Sequence, residues 1–151
     1  MRPAQLKILR YQPGVAEVPD ALIATMLEWI EVVPAKRDVK KTDESALRAS
    51  TVLAAADADG RLIAFAALDL SVPYLLEVHV HKDWRRRGLG SRLVKTIVEE
   101  STAAKVGSLQ LTVADIAPGV ANDPAIGLYT KVGFELVKER DGYSIYEYRI
   151  S

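Results

Sequence analysis

The chain contains no cysteine, and only two methionines, two tryptophans and two phenylalanines among its 151 residues. Without cysteine there is no disulfide framework, no thiolate metal site, no iron–sulfur cluster and no covalent acyl-cysteine route. An excess of charge of one sign is also missing, because 20 Lys and Arg balance 20 Asp and Glu. No global field therefore draws the chain to nucleic acid or to an anionic membrane, and any anion site must be a local cluster. Long apolar runs are absent too: none approaches the ~20 residues of a membrane span. The opening MRPAQLKILRYQPG lacks the apolar stretch of a secretory signal, so the expectation is a cytoplasmic protein. What is present is 49% hydrophobic and 26% charged residues, enough to build one core in a single domain spanning 1–151.

Leu6, Ile8 and Tyr11 mark a first strand that Pro13-Gly14 ends. Asp20 reads as a helix N-cap, and Leu22, Ile23, Met26, Leu27, Ile30 and Val33 recur at helical spacing until Pro34, so a helix is expected over 20–33. A polar stretch with Lys36, Arg37, Lys40 and Lys41 leads into a short helix near 44–50. Runs at 51–56, 61–71 and 74–81, separated by Asp57-Ala58-Asp59-Gly60 and by Pro73, predict a three-stranded antiparallel meander. Residues 62–70 are apolar almost throughout, as in a strand covered on both faces. An apolar stripe over 89–104 predicts a helix that crosses over to a parallel strand at 109–114. Asp123 as N-cap, Pro124 at the first helical position and Gly133 past the end bracket another helix, and a hairpin over 134–149 closes the chain.

The sharpest local feature is Arg85-Arg86-Arg87-Gly88-Leu89-Gly90-Ser91, between a strand and a helix. Two glycines one residue apart let backbone approach a ligand, and the free N–H groups of a first helical turn, with the helix dipole behind them, grip a pyrophosphate. The arginines add charge that can pair with phosphate oxygens. A P-loop is excluded because Lys95 lies too far inside the helix, and a dinucleotide fingerprint because Leu93 stands where its third glycine belongs. A nucleic-acid module is disfavoured, since no run of aromatic side chains accompanies the arginines.

The segment from Val78 to Ser91 resembles motif A of the GNAT N-acetyltransferase superfamily, Arg/Gln-x-x-Gly-x-Gly/Ala, through Arg85, Gly88 and Gly90. The block Asn122-Asp123-Pro124-Ala125-Ile126-Gly127-Leu128-Tyr129-Thr130-Lys131-Val132-Gly133-Phe134 resembles motif B of the same family. The resemblance implies an α/β acyl-CoA N-acyltransferase fold: a central, mostly antiparallel sheet of about six or seven strands flanked by about four helices. It implies acetyl-CoA as co-substrate, its pyrophosphate on the amides around Arg86, Arg87, Gly88, Leu89, Gly90 and Ser91, downstream of Arg85. The pantetheine would lie along the backbone of Val78, His79 and Val80, and Asn122 occupies a position that contacts that arm. The implied reaction is direct attack of a primary amine on the thioester in a ternary complex. Tyr129 matches the position of a phenol beside the CoA sulfur, a general acid or hydrogen-bond donor.

Glu77, His79 and His81 alternate along one strand, so they share a face, and Glu77 is the first candidate for general base, with His79, Asp115 and water as alternatives. His-x-His can also chelate a metal, but no third ligand is evident and no metal is expected. The connection over 114–121 is longer than is common in the family and can shape or cover the acceptor cleft; with the basic loop at 36–41 it would favour an acidic acceptor, against the plainer reading of a solvated loop. The acceptor is a small-molecule or peptide amine, with no nucleic acid and no membrane as partner. Homodimerisation through exposed strands or the terminal hairpin is in keeping with the family. The rival reading is a non-catalytic CoA-binding module or sensor.

Overall fold

The computed structural model describes residues 6–32 and 40–150. Seven strands and four helices follow one another as β1 (Ile8–Tyr11), α1 (Asp20–Val32), α2 (Glu44–Ala49), β2 (Thr51–Ala56), β3 (Leu62–Asp69), β4 (Tyr74–Val80), α3 (Leu89–Ala103), β5 (Ser108–Ala114), α4 (Asp123–Val132), β6 (Glu135–Arg140) and β7 (Tyr143–Arg149). The strands form one sheet in the order β1-β2-β3-β4-β5-β7-β6. Every neighbouring pair is antiparallel except β4 and β5. That single parallel pair follows from the crossover through α3, as the apolar stripe of 89–104 predicts. The expected end of the first helix at Val33 and Pro34, and the basic residues Lys36 and Arg37, lie outside the described residues.

β3 is the centre of the molecule. Leu62 through Leu68 are buried at seven consecutive positions. Ala64, Ala66 and Leu68 join the cluster that holds Leu93 and Ile97 of α3, while Phe65 and Ala67 join the cluster that holds Met26 and Ile30 of α1. Alternate residues thus serve two helical layers, which is why the segment is apolar without a period of two. At the far edge β6 is exposed along its whole length, with Leu136 and Val137 facing outward.

Two helix starts differ from expectation by one residue. Asp20 lies inside α1 rather than capping it, and its carboxylate accepts instead from Arg48 Nη2 at 2.9 Å. Asn122, not Asp123, caps α4: its Oδ1 accepts from the Ala125 N–H at 3.3 Å, and Pro124 takes the second helical position. Both outcomes fit the physics, since Pro124 has no N–H to satisfy in the first turn and an Asn oxygen reaches the third amide as well as an Asp oxygen does.

Candidate active site

The site grows from a fault in the sheet. β4 pairs with β5 only at Tyr74↔Gln110 and Leu75↔Leu111, where Gln110 N–H also donates to Pro73 O at 3.1 Å. Beyond Leu75 the two strands diverge. On the other side of β4 the register against β3 slips between Ala67↔Glu77 and Leu68↔Leu75, so Leu76 is the extra residue of a β-bulge. A side-chain bond between the Tyr74 and Thr112 hydroxyls ties β4 to β5 at the base of the split.

Which backbone groups face the split follows from the ladder. His81 N–H donates to Ile63 O at 2.7 Å, which makes residues 77, 79 and 81 the ones bonded to β3. The amides and carbonyls of Val78 and Val80 therefore point the other way, into the space that β5 has left. Val80 O accepts from Arg85 Nε at 3.1 Å. His79 lies between them in sequence, yet its backbone belongs to the β3 ladder and its side chain to the opposite face.

The strand then passes through a 3₁₀ turn (Lys82–Trp84) to the start of α3. Gly88 caps that helix in the left-handed region, at φ 81°, ψ 6°, where a side chain is strained. Arg86 adopts φ 62°, a left-handed conformation uncommon for a residue with a Cβ. A Cβ on Gly90 would touch Leu128 Cδ2 of α4 at 3.4 Å and Val80 Cγ2 at 3.8 Å, so α3 starts in close contact with both elements. The amides of Leu89, Gly90 and Ser91 are the unpaired donors of the first turn. The three arginines divide their tasks: Arg85 braces the end of β4, Arg87 stacks its guanidinium 4.9 Å from the Trp84 ring centroid, and Arg86 is exposed at the turn.

A cleft of about 550 Å³ opens at the split and is lined from both faces of the sheet. From the α4 side come Asn122, Ala125 and Tyr129. Tyr129 packs edge-on against Phe134, with ring centroids 5.8 Å apart, and among the described residues its hydroxyl has no hydrogen-bond partner. Part of its surface stays open to the cleft. Its phenol is nevertheless deep enough that desolvation, and after it the charge of Glu77, holds the pKa well above the ordinary tyrosine value. Asn122 spends its side-chain oxygen on the α4 cap.

From the α1–α2 side come Lys40, Lys41, Thr42, Glu77 and His79. Glu77 Oε2 accepts from the Thr42 hydroxyl at 2.9 Å, and Oε1 lies 2.7 Å from His79 Nε2. The two side chains are each only 18% exposed. The His79 ring lies flat on Phe65, 5.0 Å between centroids and 10° between planes. Lys41 is turned to Glu31, whose backbone carbonyl accepts from Nζ at 3.2 Å. Asp115 lies on the cleft wall just past β5, its N–H donating to Gly142 O. His81 stands past the end of β4, its Nδ1 accepting from Asp83 N–H at 3.1 Å. Among the described residues no group of three or more His, Asp or Glu side chains is placed to hold a metal ion. Among the same residues no helix is long and apolar enough to cross a membrane.

Sequence reasoning brought Glu77, His79, Asn122 and Tyr129 forward, and the structure gathers them on one cleft. It missed Thr42 and Phe65, which hold Glu77 and His79 in place; neither stands in a pattern that spacing can reveal, since Thr42 lies 35 residues from its partner.

The family model for the acetyltransferase (GNAT) family matches residues 20–134. The chain is 30% identical to the L-methionine sulfoximine/L-methionine sulfone acetyltransferase of Pseudomonas aeruginosa, over 82% of this chain and 77% of that one. Its fold is similar to that of the ribosomal-protein-S18-alanine N-acetyltransferase of Escherichia coli, with a TM-score of 0.68 at 19% identity over 96% of this chain and 95% of that one. It is also similar to NAA60 of Arabidopsis thaliana in complex with acetyl-CoA, with a TM-score of 0.69 at 16% identity over 95% of this chain and all (100%) of that one. With three quarters of its length under one family model, and a split sheet facing a glycine-bearing helix start, the chain belongs to the acetyltransferase (GNAT) family.

Proposed function

We propose that this protein transfers an acetyl group from acetyl-CoA to a primary amine held in the cleft between β4 and β5. The observation that carries the reading is the split itself: beyond Leu75 the amides of Val78 and Val80 and the carbonyl of Val78 face the gap left by β5, and β4 runs on to the free amides at the start of α3. The fit to an acyl-CoA is direct. Amides of residues 89–91 and the positive end of α3 suit a pyrophosphate, Arg86 lies exposed beside them, and Gly90 keeps the approach open. The amides of Val78 and Val80 suit the amide-bearing arm, and a backbone N–H there is placed to polarise a thioester carbonyl. Bound there, acetyl-CoA would supply the acetyl thioester and nothing else.

The two faces of the cleft divide the proton work. Tyr129, kept protonated by its burial, donates to the leaving sulfur from the α4 side. On the α1–α2 side the Glu77–His79 pair removes a proton from the acceptor's ammonium, which must be neutral to attack. The 30% identical relative bears the name of an enzyme acting on L-methionine sulfoximine and L-methionine sulfone, both small α-amino acids. Lys40, on the cleft wall, is a cation of the kind that pairs with an α-carboxylate. Small amino acids therefore head the acceptor panel.

The test is calorimetric titration of acetyl-CoA into the protein and its Gly88→Glu variant, followed by turnover with L-methionine sulfone, L-methionine sulfoximine, other amino acids, polyamines and a peptide N-terminus. Saturable binding that is lost in the folded variant, with turnover of at least one amine, is the expected result. Absence of binding to the wild type overturns the proposal; binding without turnover on any amine makes the protein a CoA-binding module.

A further inference from the structure

Resting on that reading, one feature of the acceptor side goes further. Both oxygens of Glu77 are already engaged, Oε2 by the Thr42 hydroxyl at 2.9 Å and Oε1 by His79 Nε2 at 2.7 Å. The carboxylate is thus aimed at its own neighbours rather than at a bound ammonium. An imidazole nitrogen that close to a carboxylate oxygen carries the hydrogen, and a neutral ring protonated on Nε2 has its lone pair on Nδ1. Among the described residues Nδ1 of His79 has no partner, while Phe65 fixes the plane of the ring.

We infer that His79, through Nδ1, is the group that takes the proton from the acceptor's ammonium, with Glu77 and Thr42 as its positioning residues. One N–H bond of the ammonium breaks and one N–H bond forms at Nδ1. The positive charge moves from the substrate to the imidazolium, where Glu77 balances it, and the neutral amine is left with its lone pair; no electrons are exchanged. Thr42, from the segment just before α2, locks the carboxylate so that it orients the ring.

The other charged or titratable groups around the cleft are Lys40 and Lys41 before α2, Tyr74 on β4, Asp115 after β5, Tyr129 on α4 and Tyr143 on β7. Lys41 is turned to Glu31, and His81 to Asp83. Among the described residues Glu77, and none of these, is hydrogen-bonded to the ring.

The chain has only two histidines, so ¹⁵N-histidine NMR reads the ring directly, with His81→Gln giving the assignment. The expected neutral form of His79 carries its proton on Nε2, the nitrogen that faces Glu77. A neutral ring protonated on Nδ1 overturns the inference. In turnover assays with the fastest amine of the panel, His79→Gln still donates to Glu77 but has no base; its kcat is expected to fall roughly 100-fold with acetyl-CoA affinity unchanged. Glu77→Gln is expected to keep part of its turnover, because Nδ1 of His79 is still present as the proton acceptor. Thr42→Val loses several-fold in kcat and Thr42→Ser restores it. Near-wild-type kcat in His79→Gln beside an inactive Glu77→Gln makes Glu77 the base and overturns the inference alone. A wild type that binds acetyl-CoA yet acetylates nothing overturns the acyltransferase reading itself.

Discussion

The two faces of β4 are built from different materials. Toward the gap left by β5 the strand offers backbone: the amides of Val78 and Val80 and the carbonyl of Val78, followed by a helix start whose geometry depends on glycine at 88 and 90. Toward α1 and α2 it offers side chains, Glu77 and His79, held by Thr42 and Phe65 from two other elements. A backbone surface can grip a constant ligand such as the nucleotide end of a coenzyme, because it hardly changes with side-chain identity. A side-chain surface suits a ligand that differs from one relative to the next.

Lesions on the two faces should therefore separate. The largest effect is expected for Gly90→Glu, which sets a carboxylate against Leu128 and at the positive helix end: acetyl-CoA affinity should fall at least ~100-fold, about 2.7 kcal/mol, by titration calorimetry. Tyr129→Phe leaves the packing against Phe134 in place, so acetyl-CoA should bind as before while kcat falls roughly 10- to 100-fold. A Tyr129→Phe protein that loses the coenzyme instead would collapse the distinction between the faces.

The raised phenol also has a sign in stability. The folded state holds the Tyr129 proton more tightly than the unfolded chain, so stability drains away once the pH passes about 10, where unfolded tyrosine begins to ionise. Tyr129→Phe should flatten that alkaline decline in denaturant midpoints measured between pH 9 and 11. A smaller effect is expected at the base of the split, where Tyr74→Phe removes the bond to Thr112 and should cost about 1 kcal/mol in urea unfolding with coenzyme affinity unchanged.

The division also explains what the sequence revealed. The start of α3 is legible because it carries glycines at fixed spacing, and the meander and the crossover helix are legible because β3 and α3 carry continuous or periodic apolar residues. The pairing of Glu77 with His79 on one face is legible from alternation. The arginines are only half legible: composition shows their charge, but not that Arg85 is spent on Val80 O or Arg87 on Trp84. The restraint on Glu77 by Thr42 is not legible, because the contact joins a segment before α2 to β4 and depends on packing across the α1 layer.

The extra residue at Leu76 has a final consequence. Strict alternation from Leu75, which faces α3, would return Glu77 to that same side; the bulge resets the phase of the strand, so that Leu76 packs against the α1 cluster and Glu77 follows it onto that side. Were Leu76 to pair with Ala67 as an ordinary ladder residue, everything downstream as far as Val80 would exchange faces, turning the carboxylate and the imidazole toward α3 and the valine amides toward β3. The chemistry of the strand is thus a matter of parity, set by whether an even or an odd number of its residues take ladder positions between its tied end and its open one.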